Sequence, residues 1–105
     1  MPVNFSVIIQ FDAKPGESKS LATILEALIT PSRTEAGCNR YDAFADMDEA
    51  SRFTVIEEWD LEQQWHAHLE APHVKAALAK LPDVLAKPFT AQRLRPLPTN
   101  RKVTE

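Results

Sequence analysis

Cysteine occurs once, at Cys38, so no disulfide can form within the chain and nothing in its composition points to oxidising export. Glycine occurs only at Gly16 and Gly37, which leaves no glycine-rich loop to cradle a phosphate. No serine stands in a nucleophile-elbow setting. Basic residues are scattered and the net charge is −3, whereas a nucleic-acid partner needs a concentrated basic face, so none is expected. The opening MPVNFSVIIQF has no positive charge ahead of its apolar residues and no small-residue cleavage site, so it does not read as a secretory signal. Its apolar run is far too short to cross a bilayer, and no membrane partner is expected. Cytoplasmic residence follows as the expectation.

What is present is ordinary globular composition: 44% hydrophobic and 26% charged residues, which argues against disorder and fibrous classes alike. A chain of 105 residues suffices for one core burying about two thirds of the unfolded surface. We expect a single domain over residues 1–97 and a short polar, poorly ordered tail over 98–105. Val3 to Phe11 alternates as a half-buried strand, with Val3, Phe5, Val7, Ile9 and Phe11 on one face. Lys14-Pro15-Gly16 breaks it. Leu21, Ile24, Leu25, Leu28 and Ile29 then follow helical spacing, with a kink or restart expected at Pro31 and an end at Gly37.

Cys38 to Ala45 and Arg52 to Asp60 read as two strands of an antiparallel hairpin joined by an acidic connection. Along the second, Phe53, Val55, Glu57 and Trp59 share a face, which places a carboxylate in an apolar row. Helical spacing follows at once: Leu61, Trp65, His68 and Leu69 fall on one inward stripe, while His66 falls on the opposite side. Pro72 starts a second helical piece, which Leu81-Pro82 ends or bends, and Pro88 to Leu94 reads as a last strand. The order β-α-β-β-α-β is the α+β, ferredoxin-like pattern, an antiparallel sheet with its helices on one face. Its other face is left mixed, with Ile8 and Ile56 among Asn4, Ser6, Gln10, Thr54 and Glu58, a surface on which a homodimer could pair.

Taken singly, the polar and aromatic residues allow plain explanations. Trp59 is either a wall that stacks a flat ring or a plug in the core. His68 is either a general base or an inward histidine satisfied by a backbone carbonyl. Glu57 must be paired, with an arginine of the same sheet or of a dimer mate as the expected partner. Tyr41 could donate a hydrogen bond to a substrate oxygen, although the phase of its strand against the Glu57 row is not fixed. His73, after Pro72, reads as a capping or exposed residue, and Cys38 as a small buried one. His66 and His68 point apart and His68 and His73 straddle Pro72, so no three-ligand metal set is expected.

Three segments, SRTEAGCNRYDAF, RFTVIEEWD and HAHLEAPHVKAAL, resemble the antibiotic biosynthesis monooxygenase family and its quinol monooxygenase-like members. Glu35, Gly37, Cys38 and Tyr41 fill a Glu-x-Gly-Cys-x-x-Tyr pattern, Glu57 and Trp59 a Glu-x-Trp pattern, and His68 and His73 a helical histidine pair. The resemblance implies a dimeric α+β barrel that uses molecular oxygen without metal or flavin, acting on a quinol or polyphenol-type aromatic. His68 would then be the base and Trp59 the stacking wall, with Tyr41, Glu57, Trp65 and His73 around the substrate. A non-catalytic dimeric binding module and an isomerase-like enzyme of the same fold stay open beside it.

Overall fold

The first and third strands form the centre of the sheet. In this computed structural model, which describes residues 4–98, β1 (Phe5–Asp12) pairs antiparallel with β3 (Arg52–Trp59) along its whole length, from Phe5 opposite Trp59 to Asp12 opposite Arg52. β2 (Cys38–Ala45) pairs with the outer edge of β3, and β4 (Thr90–Leu94) with the outer edge of β1, giving the strand order β2-β3-β1-β4. The α+β, ferredoxin-like architecture expected from the sequence is the one observed. Val3 and most of the expected polar tail lie outside the described residues.

Alternation decides which side is buried. Phe5, Val7 and Phe11 of β1, Tyr41 of β2, and Val55, Glu57 and Trp59 of β3 face the helices and are nearly or fully inaccessible. Against them pack α1 (Ser18–Arg33) through Leu21, Leu25 and Leu28, and α3 (Pro72–Val84) through Val74, Ala77 and Leu81. The short α2 (Glu62–Leu69) closes one end with Trp65 and His68. The opposite face stays open, with Ile8 opposite Ile56, half-buried, and Phe44 exposed.

Turn chemistry fixes the joints. Pro15 and Gly16 occupy the centre of a tight turn closed by the Glu17 amide on the Lys14 carbonyl (2.9 Å), and Gly16 sits at φ +81°, where a side chain would be strained. Asp46 Oδ2 accepts the amides of Asp48 (2.9 Å) and Glu49 (2.8 Å), which closes the β2–β3 connection.

Neither helix restarts or ends at its proline, and α1 ends at Arg33 rather than at Gly37. α1 runs through Pro31 to Arg33, and α3 runs through Pro82 to Val84. Both prolines stand in the last turn of their helices, and Ala27 and Leu78, whose carbonyls lose a donor, are exposed to water. Continuation also has a packing reward. It carries the buried stripe of α1 on to Ser32 and that of α3 on to Val84.

Candidate functional site

A bulge in β2 decides which side chains meet. Cys38 is opposite Trp59 and Tyr41 opposite Glu57, with the register shifted between Cys38 and Arg40. The extra residue, Asn39, lets two positions three apart face the same side, so Tyr41 joins the Glu57–Trp59 row. The bulge is tied down at its start. The Asp60 amide donates to the Gly37 carbonyl (2.9 Å) and Asn39 Nδ2 to Asp60 Oδ1 (2.8 Å).

Gly37 adopts φ +81°, and a Cβ there would lie 1.8 Å from Gln64 Oε1. Glycine is therefore required twice over, by the backbone and by the approach of α2. The same Gln64 oxygen accepts the Leu61 amide (3.0 Å), which holds the first turn of α2. Leu61 itself is the N-cap residue and 47% exposed, so it does not share the inward stripe assigned to it from spacing.

The centre of the cluster is Glu35, in the connection between α1 and β2. Both its carboxylate oxygens lie 3.0 Å from His68 Nδ1, and Oε2 lies 2.6 Å from His73 Nε2. The last turn of α2 and the first turn of α3 thus bring two imidazoles onto one carboxylate. This overturns two expectations. His68 is satisfied by a carboxylate rather than a backbone carbonyl, and His73 is neither a cap nor free. Proline at the first position of α3 is what lets the chain turn between α2 and α3 and return His73 beside His68. The argument from spacing against a three-ligand set fails for the same reason: Glu35, His68 and His73 offer ligand atoms all within 4.8 Å of one another.

Behind His68 lies Glu57. Its Oε1 accepts Trp59 Nε1–H at 3.0 Å and stands 3.9 Å from His68 Nε2, while Oε2 is buried with no partner among the described residues. Among the described residues no arginine of the sheet pairs with Glu57; the Trp59 indole does. Burial pushes the Glu57 carboxyl up to about 7, the Trp59 hydrogen bond opposing this in part. Burial also lowers the His68 pKa, against the pull of Glu35, so the imidazole is neutral at pH 7. Burial, with Glu57 adding to it, pushes the Tyr41 phenol far above its usual range and the Cys38 thiol up to about 11. Tyr41 is therefore a neutral donor, and Cys38 a poor nucleophile.

Trp59 and Tyr41 flank the His68 ring at centroid distances of 5.1 and 5.5 Å. Trp65 packs on Phe5 at 5.5 Å, in the same apolar cluster as Trp59. His66 points to the surface and pairs with Glu62. Solvent meets the cluster at one rim: the Glu35 and His73 side chains are 19% and 23% exposed, those of His68 and Glu57 3% and 1%. Two surface grooves lie elsewhere, one lined by Leu78, Leu81, Leu85 and Phe89 and the other by Phe5, Asp60, Glu62 and Arg93.

Glu35 is the residue that sequence reasoning left without a role. It stood in the Glu-x-Gly-Cys-x-x-Tyr pattern, and that pattern was the one signal able to find it.

Residues 4–80 match the family described as antibiotic biosynthesis monooxygenase. A 75-residue stretch, 71% of the chain, is 32% identical to an uncharacterized protein of Synechocystis sp., and spans about half (51%) of that protein's length. A Mycobacterium tuberculosis protein provisionally named a monooxygenase is 29% identical over 92 residues, covering 88% of this chain and 90% of its own. Its solved structure superposes with a TM-score of 0.85 at 29% identity over 92% of this chain and 96% of that one. A solved Pseudomonas aeruginosa protein is similar to the same degree, with a TM-score of 0.85 and 28% identity over 90% of this chain and 95% of that one.

Proposed function

The chain belongs to the antibiotic biosynthesis monooxygenase family, and from that membership we propose that it oxidises a quinol or polyphenol-type aromatic with molecular oxygen, without a bound cofactor, as a homodimer. The observation that carries this reading is the 3.0 Å contact between Glu35 and His68 Nδ1. A carboxylate on Nδ1 holds the proton there and leaves Nε2 as the lone-pair nitrogen, aimed into the sheet side of the cluster. That is the arrangement of an oriented general base.

The chemistry asks little more of the protein. His68 Nε2 takes the proton of a phenolic hydroxyl. The phenolate, far more easily oxidised than the phenol, passes an electron to oxygen, and the two radicals combine at a ring carbon. Loss of water from the resulting hydroperoxide leaves one oxygen atom on the ring, now a hydroxyquinone, and one in water. The substrate supplies both electrons, so no external reductant is required. Trp59 stacks on the ring and Tyr41, kept neutral, donates to a ring oxygen. Trp65 and His73 complete the surroundings. The open sheet face, with Ile8, Ile56 and Phe44, supports the dimer.

A second reading has an observation of its own. Glu57, with its carboxyl near 7 and 3.9 Å from His68 Nε2, gives the site a second proton-carrying group beside the base, as an isomerase requires. Oxygen uptake with a panel of quinols, and the appearance of isotopic label from oxygen gas in the product, separates the two. An isomerase consumes no oxygen.

A further inference from the structure

We propose that Glu35, His68 and His73 form a binding site for a divalent transition-metal ion of the zinc class, ligated by a Glu35 oxygen, His68 Nδ1 and His73 Nε2. These donors, two imidazoles and a carboxylate, are the set that such ions take with three protein ligands and one open position. Ligand atoms around a tetrahedral ion with bonds of about 2.1 Å lie about 3.4 Å apart. Here the contacts on the carboxylate are 3.0 and 2.6 Å and the whole set lies within 4.8 Å, so changes in separation of up to about 1.4 Å open the place for an ion.

An independent observation comes from the far side of His68. A ligating histidine characteristically donates its other ring N–H to a carboxylate, which fixes the tautomer and strengthens the ligand. Glu57 is 1% exposed, its Oε1, which accepts from Trp59, lies 3.9 Å from His68 Nε2, and its Oε2 is buried with no partner among the described residues. An ion on Nδ1 drives the histidine proton to Nε2, where Glu57 accepts it, giving a carboxylate–histidine–metal line. Glu35 and His73 at the solvent rim leave a path for entry and a face for the fourth ligand. The surface pair His66–Glu62 lacks this design, since Arg93 already stands 2.8 Å from the same Glu62 oxygen.

The metal and the base need opposite tautomers of His68. With an ion on Nδ1 the proton sits on Nε2, and the nitrogen that would accept a substrate proton is lost. Metal occupancy therefore shuts off the reaction proposed above. This consequence rests on that reading, while the binding site does not.

The test is titration of the chelator-treated full chain with Co²⁺, followed by visible absorption, and with Zn²⁺, followed by calorimetry. We expect one equivalent to bind and cobalt to give the intense visible bands of a four- or five-coordinate ion. Glu35→Gln and His73→Ala should each weaken binding tenfold or more, with far-ultraviolet circular dichroism confirming that both variants fold. Glu57→Gln should weaken it as well, and His66→Ala should leave it unchanged. Absence of saturable binding, or binding that survives both Glu35→Gln and His73→Ala, overturns the site. Quinol-dependent oxygen uptake, measured on the same samples, should fall with Zn²⁺ at the binding midpoint. Metal binding without any uptake in the metal-free chain refutes the oxygenase reading alone.

Discussion

Glu35 holds its carboxylate 3.0 Å from His68 Nδ1 across a separation of 33 residues, joining the end of α1 to the end of α2. The contact makes an imidazole that is 3% exposed usable, since burial alone would leave its tautomer unspecified. Glu35→Gln keeps the shape and can still accept a hydrogen bond, but it removes the negative charge that stabilises the imidazolium formed on proton transfer. Turnover in the variant should fall about a hundredfold, the lower end of what a positioned base contributes, with far less effect on KM. A rise in KM with turnover unchanged would instead mark Glu35 as a binding residue.

Glu57 carries a stability cost that varies with pH. Its folded value of about 7 lies above the ordinary 4.5, so between these values the folded chain keeps a proton that the unfolded chain has released. Stability from this group is fully present below pH 4.5 and is lost as pH rises through 7. His68, lowered from 6.5, has the opposite sign, its contribution growing with pH and becoming complete by about pH 6.5. Between there and about pH 8, still below the ordinary value of the Cys38 thiol, Glu57 dominates. Glu57→Gln, which still accepts from Trp59, should match the parent near pH 4 and exceed it at pH 8 by roughly 3 kcal/mol. Urea unfolding at the two pH values checks this, and an equal difference at both would show that Glu57 carries no such cost.

Gly37→Ala meets two obstacles at once, a backbone at φ +81° and a Gln64 side chain 1.8 Å from the new Cβ. Gln64 can swing away, but it then releases the Leu61 amide at the start of α2. The variant should lose about 1–3 kcal/mol in thermal or urea unfolding. Gly16→Ala is the control: it shares φ +81° but meets no atom within 4 Å. Gly37→Ala should therefore be the more destabilised of the two, and equal losses would mean the Gln64 contact is immaterial.

The strands and the buried row of β3 were readable because period-two alternation carries its phase along with it, from Phe53 through Trp59. Inward placement of Trp65 and His68 was readable for the corresponding helical reason. Tyr41 was not placed, since a single bulge at Asn39 reverses strand parity and leaves no mark in hydropathy. The prolines misled because their cost depends on position in the helix. At Pro31 and Pro82 a single carbonyl each loses its donor, that of Ala27 and that of Leu78, and both residues are exposed. Glu35 and His73 were beyond periodicity altogether. Each lies at a junction between elements, and their 2.6 Å contact exists only once α3 has folded back beside α2.

The role of His68 as the base is tested by quinol-dependent oxygen uptake of the chelator-treated protein, parent against His68→Ala. Uptake by the parent should stand well above the autoxidation of the substrate and fall about a hundredfold or more in the variant, with circular dichroism showing the fold intact. Uptake equal in parent and variant would remove His68 from the mechanism, and a parent no faster than autoxidation across the panel would contradict the oxygenase reading and favour the isomerase.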